Sequence, residues 1–251
     1  MPILGIGLHL IIAVFFAVHA IRTNQNQYWL FILLMFPGLG SLVYFIAIFL
    51  PSSGLEQGAR KAVTAVQKSI DPTKELREAK AAFDYTPTAQ NQMRYAAALL
   101  ENGDPNGAAN NFEDCLKGPF ASDLNIRYNA SRAFLESSQF DKALGHIETI
   151  KAEDKNFRPE QIDILFAKAL FGANKPEEAK RAFAAAHDKY GSFEALAEYC
   201  IFAFATKDLE TASYLNTQLD ASMSRWSKHT REINLPIVRR LQTAMQQAGK
   251  T

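Results

Sequence analysis

The chain has 251 residues, with 27 Lys and Arg against 26 Asp and Glu, and a mean hydropathy of −0.12. These averages combine two different segments, because residues 1–51 contain 35 apolar side chains and one charged side chain, Arg22, whereas the other 200 residues balance 26 basic against 26 acidic groups. This neutrality argues against a sequence-independent nucleic-acid binder, which needs a surplus of Lys and Arg. Two cysteines, Cys115 and Cys200, cannot form a disulfide scaffold or a zinc site, and we expect both to be small packing residues.

Two long apolar stretches occupy the N-terminal segment. Ile3–Ile21 contains no formally charged residue, and after the polar loop Arg22–Gln27 neither does Tyr28–Leu50. A helix of about 20 apolar residues crosses the roughly 30 Å hydrocarbon core of a bilayer. The pattern therefore predicts a two-span transmembrane helical hairpin over residues 1–51, with the lipid bilayer as a partner.

Basic residues set the expected orientation of this hairpin. Arg60, Lys61 and Lys68 follow the second apolar stretch, whereas the loop between the stretches has only Arg22. The positive-inside rule then places the C-terminal part and both termini in the cytoplasm. We thus expect an integral protein of a bacterial inner (plasma) membrane.

A motif in the second apolar stretch resembles a known membrane module. Its five matching positions are Trp29, Pro37, Gly38, Gly40 and Tyr44. They resemble the phospholipase D nuclease N-terminal family, a two-helix membrane module found at the front of some cardiolipin synthases. Proline removes a helix hydrogen bond and glycine lets a second backbone approach closely, so the residues themselves predict a kinked, tightly packed hairpin.

The rest of the chain shows an internal helical repeat. Four alanines, each five residues after a small or polar turn, are spaced 35, 36 and 33 residues apart, and we call them the marker alanines: Ala108, Ala143, Ala179 and Ala212. A small residue also lies twelve places before each marker: Ala96, Ser131, Ala167 and Cys200. The pattern resembles the tetratricopeptide repeat (TPR), a helix–turn–helix unit of 34 residues. The resemblance implies an all-α protein with a TPR-like right-handed α-solenoid behind the hairpin.

The periodicity predicts helix pairs near residues 88–116, 122–151, 159–189 and 192–222. We assign residues 52–87 to a helical linker, with a helix over Leu55–Ile70 and a leading half-repeat around Ala79 and Phe83. Residues 88–222 form about four repeats, and residues 223–251 form a capping helix and tail with Arg239 and Arg240 on its solvated face.

The sequence indicates no enzyme, and we expect no catalytic, cofactor-binding or metal-binding residues. His187, Lys189 and Glu194 approach the phospholipase D motif, but that motif occurs twice in the enzymes and once here, with Glu in place of Asp. No glycine-rich phosphate loop lies in the repeat segment, and no His or Cys pair has the spacing of metal ligands.

A repeat solenoid binds partners on the concave surface formed by the first helix of each pair. The positions predicted to line this groove are Asn125, Tyr128, Asn129, Arg132, Gln161 and Lys168. Arg132 and Lys168 are equivalent in adjacent repeats, so they could capture a peptide carboxylate, or they could simply be a solvated basic pair.

The function predicted from these patterns is a membrane-anchored adaptor or scaffold that binds a protein or peptide partner at the cytoplasmic face. Two alternatives stay open at this point. One is a non-catalytic accessory of phospholipid (cardiolipin-type) metabolism, and the other is a self-associating membrane structural protein that forms homo-oligomers.

Overall fold

A computed structural model describes residues 3–23, 25–49, 71 and 73–249. It divides the chain into two compact units, residues 1–72 and residues 73–251. Every regular element in the described ranges is helical. The helix predicted over Leu55–Ile70, together with Arg60, Lys61 and Lys68, lies outside the described residues.

The N-terminal unit contains three helices, α1 (Ile3–Arg22), α2 (Tyr28–Met35) and α3 (Pro37–Tyr44), followed by a π-helical turn at Phe45–Phe49. The second apolar stretch is thus divided between α2 and α3. Phe36, with φ −133° and ψ 70°, ends α2, and the proline that follows starts α3 at a position where no N–H is needed. Each of these two helices has eight residues and is about 12 Å long.

Within the described part of the chain, no helix is both sufficiently long and sufficiently apolar to cross a bilayer. The predicted transmembrane hairpin over residues 1–51 is therefore wrong, and so is the predicted location as an integral two-span protein of the inner membrane with both termini in the cytoplasm. For the second stretch the physical reason is the helix break at Phe36, which leaves two short helices in place of one long one.

Tyr44 packs against side chains of α1 and α2 inside the N-terminal unit. Its side chain is fully buried, its hydroxyl lies 3.0 Å from Nδ1 of His19, and its ring meets the Trp29 ring edge-on at 5.3 Å. A Cβ added to Gly40 would lie 2.6 Å from the Ile32 carbonyl oxygen, so glycine is required where α3 turns back against the end of α2. Gly38, in contrast, is exposed.

The C-terminal unit contains ten α-helices in its described residues, and a short 3-10 helix at Gly118–Phe120. In chain order they are α4 (Lys74–Tyr85), α5 (Ala89–Glu101), α6 (Pro105–Cys115), α7 (Leu124–Glu136), α8 (Phe140–Glu153), α9 (Pro159–Gly172), α10 (Pro176–Tyr190), α11 (Phe193–Ala205), α12 (Leu209–Met223) and α13 (Lys228–Ala248). Helices lie at each of the four predicted pairs, as α5/α6, α7/α8, α9/α10 and α11/α12, and consecutive helices from α4 to α12 pack on one another.

The marker alanines lie in buried contacts between helices. All four are 0% exposed, as are the four small residues that precede them by twelve places. The Sγ atom of Cys200 lies 3.5 Å from the carbonyl oxygen of its marker, Ala212. Both cysteines are thus packing residues, and burial raises the pKa of the Cys115 thiol to about 11 and that of the Cys200 thiol to about 12.

Large apolar side chains fill the space one turn beyond the markers. Phe112, Ile147 and Phe183 lie four residues after their alanines and are at most 2% exposed. Asn216 occupies this place in the fourth repeat and is only half-buried, and there Leu215 and Leu219 supply the apolar packing. The fourth repeat therefore keeps the helix pair, but the apolar side chains between its helices come from positions next to the usual one.

One residue in the turn of each pair adopts the left-handed conformation. These residues are Gly103, Ser138, Asn174 and Lys207, with φ of 82°, 60°, 61° and 58°. In each turn the N–H of the next residue donates a hydrogen bond to a carbonyl five residues earlier, for example from Asp208 to Ala203 at 2.9 Å. A hydrogen bond of this span is typical of a helix C-terminus that is followed by a left-handed residue.

Candidate functional site

The first helices of the pairs form a shared surface with two adjoining cavities. One cavity, of about 340 Å³, lies between α5 and α7, and the other, of about 350 Å³, is lined by α7, α9, α11 and α13. We call the two cavities together the groove. Arg132 lines both of them and so marks the boundary between the two halves.

Five of the six predicted groove residues line these cavities. Asn129 and Arg132 line the first, and Arg132 also lines the second with Tyr128, Gln161 and Lys168. The structure thus brings Arg132 and Lys168 to one cavity. Asn125 is placed differently, because its side-chain oxygen accepts a hydrogen bond from Arg158 at 3.3 Å.

Tyr128 is flanked by two arginines. The guanidinium carbon of Arg158 lies 5.0 Å from the centre of its ring and that of Arg132 lies 6.0 Å away, distances at which a cation is attracted to the ring face. Arg158 was missed by the sequence reasoning. It occupies the position before α9 in a left-handed conformation, φ 43°, and the proline that follows it is the local signal that marks this helix start.

Lys168 is bound to a carboxylate of the protein itself. Its Nζ atom lies 3.3 Å from Oε1 of Glu198, and the guanidinium of Arg240 holds both oxygens of the same carboxylate at 2.7 Å. Burial alone would raise the pKa of Glu198, but the Arg240 hydrogen bonds and the two cations outweigh it and hold that pKa below its usual value. Glu198 therefore stays ionised while 4% exposed.

The position of Arg240 corrects one expectation from the sequence. The repeat register placed it with Arg239 on the solvated face of the last helix. Instead the guanidinium of Arg240 reaches from α13 to the buried carboxylate on α11, although half of its side chain remains exposed. Sequence reasoning could not find this contact, because Glu198 and Arg240 are 42 residues apart.

Glu194 is the second acidic group near this contact. Burial raises its pKa, and the neighbouring carboxylates Glu198 and Glu160 raise it further. The cavity between α7 and α13 is consequently balanced in charge, since three basic and three acidic side chains line it: Arg132, Lys168, Arg240, Glu136, Glu194 and Glu198. Such a cavity offers directional ion pairs and little net field.

In the part of the chain that the structure describes, no group of three His, Cys, Asp or Glu residues is arranged to hold a metal ion. The His187 and Lys189 pair lies on α10, while Glu194 lies on the next helix. Lys189 is instead paired with Asp163 at 3.1 Å.

The helix pairs and their groove define the C-terminal unit as a TPR-type α-solenoid. Two solved structures share this fold, and both are of MamA. The MamA chain from residue 41 to the end, from Desulfovibrio magneticus RS-1, is 20% identical with a TM-score of 0.52, over 67% of this chain and 95% of that one. A MamA RS-1 ArsTM double mutant is 20% identical with a TM-score of 0.51, over 66% and 95%.

At this identity the likeness shows the fold alone, and it confirms the TPR-type fold expected from the repeats. No family model and no curated protein matches the chain. The resemblance of the Trp29–Tyr44 segment to the phospholipase D nuclease N-terminal family consequently has no support from these comparisons.

Proposed function

We propose that this chain is a protein-interaction scaffold whose groove binds a partner segment through one carboxylate at Arg132. The observation that supports this most directly is the state of Arg132 itself. Its side chain is exposed and lines both cavities, and no carboxylate of the described residues lies within ion-pair distance of it. An arginine donates paired hydrogen bonds to a carboxylate, which gives both attraction and orientation.

Arg132 is a better candidate than Lys168 for this contact. The ammonium group of Lys168 is already paired with Glu198, so a partner carboxylate would have to compete with a buried internal one. Among the described residues, the contact made by Arg132 is the long one, 6.0 Å, with the Tyr128 ring. That ring limits the directions that the guanidinium can take, which lowers the entropy lost when a ligand binds.

The walls of the groove favour a single carboxylate over a run of acidic residues. Glu136 lines both cavities and Glu101 lines the first, so additional negative charges on the ligand would lie near these carboxylates. Apolar positions beside them, Met93 and Leu100, offer contact to an aliphatic or aromatic neighbour. The expected ligand is therefore a segment in which one Asp, Glu or terminal carboxylate is surrounded by apolar residues.

A displayed library of random peptides, selected on the full chain, tests this proposal. We expect enrichment of peptides with one acidic group among apolar residues, and we expect Arg132→Glu to reduce their affinity by about tenfold or more, which corresponds to about 1.4 kcal/mol. Arg181→Glu is the matched control, because Arg181 is an exposed arginine on α10 that does not line the groove cavities.

Two results would contradict the proposal. One is enrichment of peptides that contain no acidic group. The other is an equal loss of affinity for Arg132→Glu and Arg181→Glu, since a general change in net charge would then explain the effect.

The exposed surface of the N-terminal unit supports a second function, and we propose that this unit binds a lipid surface. Leu34, Met35 and Leu39 are 81%, 72% and 68% exposed, and Phe31 and Phe36 are exposed beside them. A protein interface usually has a polar rim around its apolar centre, whereas residues 1–51 carry a single charged side chain. Lipid acyl chains are the partner that such an uncharged exterior fits. The proposal is a surface contact and does not include a spanning helix.

Co-sedimentation with vesicles of neutral phosphatidylcholine tests this contact. We expect the full chain to sediment with the vesicles at low and high salt alike, because apolar burial of about 1.5–3 kcal/mol for each large side chain does not depend on ionic screening. Leu34→Asp with Leu39→Asp should remove most of the binding. Tyr85→Asp, at a 91% exposed position on α4, is the matched control. Binding that salt abolishes would contradict the proposal.

A further inference from the structure

The last helix, α13, does not continue the stacking of the repeats. At each earlier step the first helix of a pair packs on the second helix of the pair before it, as α7 does on α6 and α11 does on α10. By this rule α13 should pack on α12. Instead it packs mainly on α11, the first helix of its neighbouring pair. This placement brings α13 to the groove, where its arginine lines the same cavity as Tyr128 and Lys168.

Two adjacent residues anchor α13 at this position. Leu241 is its one buried residue, at 2% exposed, and Ile237 and Val238 are partly buried. Ile233 and Leu235, nearer the start of the helix, are exposed. Arg240, next to Leu241, holds Glu198 with two hydrogen bonds, so the most specific contacts of α13 come from an arginine and the leucine that follows it.

The contact between α11 and α13 borders an open cleft. This cleft, of about 560 Å³, is lined by Ile201 and Phe204 of α11 and by Thr243 and Ala244 of α13. Ile201 and Phe204 are both only partly buried there, so α13 leaves part of the apolar surface of α11 open to solvent.

We infer that the end of the groove at repeats 3 and 4 is a helix-binding site that recognises an arginine followed by a leucine, and that α13 is its displaceable resident. Glu198 is the residue that determines this specificity, since it is a buried carboxylate that a ligand arginine can reach from the groove. Lys168 is a second cation on the same carboxylate, with its Nζ atom 3.3 Å from Oε1. The inference deepens the proposed function, because it gives the groove a second partner chemistry at its other end.

The consequence is competition. A partner helix with the same arginine–leucine pair can replace α13, whereas a partner that binds only at Arg132 leaves α13 in place. Because α13 is joined to α12 by residues 224–227 alone, its effective concentration at the groove is high. Displacement in the intact chain therefore requires a partner that binds Glu198 more tightly than α13 does.

An exchange experiment on the full chain tests the inference. A specific protease site is inserted at residues 224–227, and the cleaved chain is mixed with a fluorescent synthetic peptide of residues 228–248. We expect saturable uptake of the peptide after cleavage and none before it, measured by fluorescence anisotropy. A peptide with Arg240→Ala should bind at least about tenfold more weakly, and so should the native peptide to a Glu198→Gln chain.

The control peptide carries Arg231→Ala, at an exposed position of α13, and should bind like the native one. Three results would each overturn the inference: equal binding of the Arg240→Ala peptide, equal uptake by the uncleaved chain, or a cleaved helix that never exchanges. This assay reports on Glu198, while the library selection reports on Arg132. The two assays can therefore fail independently, and each failure shows which of the two proposals is wrong.

Discussion

Replacing Arg240 with alanine should destabilise the repeat unit by about 2–3 kcal/mol. The change leaves the Glu198 carboxylate, 4% exposed, with Lys168 at 3.3 Å as its remaining cation. Removing one partner of a buried ion pair costs about 3–5 kcal/mol. The expected value is lower here because half of the Arg240 side chain is already in solvent and Lys168 remains. For a unit of this size the loss corresponds to roughly 4–12 °C in melting temperature.

The cost should depend on pH in a defined direction. The folded chain holds the pKa of Glu198 below its usual value of 4.5, because Arg240 and Lys168 outweigh the effect of burial. The stabilisation is therefore present above pH 4.5 and is lost as the pH falls through the folded pKa. In the Arg240→Ala variant burial dominates, Glu198 takes up a proton more readily, and the difference between variant and parent shrinks toward pH 4.

Urea unfolding followed by far-ultraviolet circular dichroism at pH 7 and pH 4 measures both quantities. Arg239→Ala is the control, since it removes a neighbouring arginine that is exposed and has no contact with Glu198. A cost that is the same at both pH values, or that Arg239→Ala reproduces, would refute the argument that a buried carboxylate is being left unpaired.

Three other predictions follow from the packing of the repeats. Gly172→Ala should destabilise the unit by about 1–3 kcal/mol in urea unfolding, because the added methyl group would overlap the ring of Phe140. Gly145→Ala is the control: its methyl group would meet no atom within 4 Å, so the change should stabilise the unit by about 0.4–1 kcal/mol. Burial and the charge of Arg127 hold the pKa of His146 below 6.5, so stability should fall as the pH drops below 6.5, and His146→Gln should flatten that slope; an unchanged slope would contradict this. Both cysteines have raised thiol pKa values, so a chromogenic disulfide reagent at pH 8 should react with the unfolded chain and barely with the native one.

The repeat fold could be predicted from the sequence because its signal is local and periodic. Helix packing favours small side chains at the marker alanines and at the positions twelve places before them, and all eight residues are fully buried in the structure. Asn216 was the one departure from the pattern, and there the structure moves the apolar packing to Leu215 and Leu219.

The helix break in the N-terminal unit and the part of the groove formed with α13 could not be predicted from local, periodic patterns. Hydropathy measures the length of an apolar stretch, but it does not register that Phe36 ends one helix and Pro37 starts another. The Glu198 and Arg240 contact depends on where α13 packs, which no local pattern encodes. The groove prediction was thus limited to the side chains of single helices, and it could not say that Lys168 already has a partner.

The left-handed turns have a consequence for recognising such repeats in other sequences. The same backbone conformation occurs at Gly103, Ser138, Asn174 and Lys207, although only one of these residues is a glycine. A search that weighted glycine at the turn would detect one repeat of the four. A search for the small residue five places later would detect all four, because a close helix crossing excludes large side chains more strictly than a left-handed turn excludes non-glycine residues. The most informative position for alignment is therefore the helix crossing and not the turn.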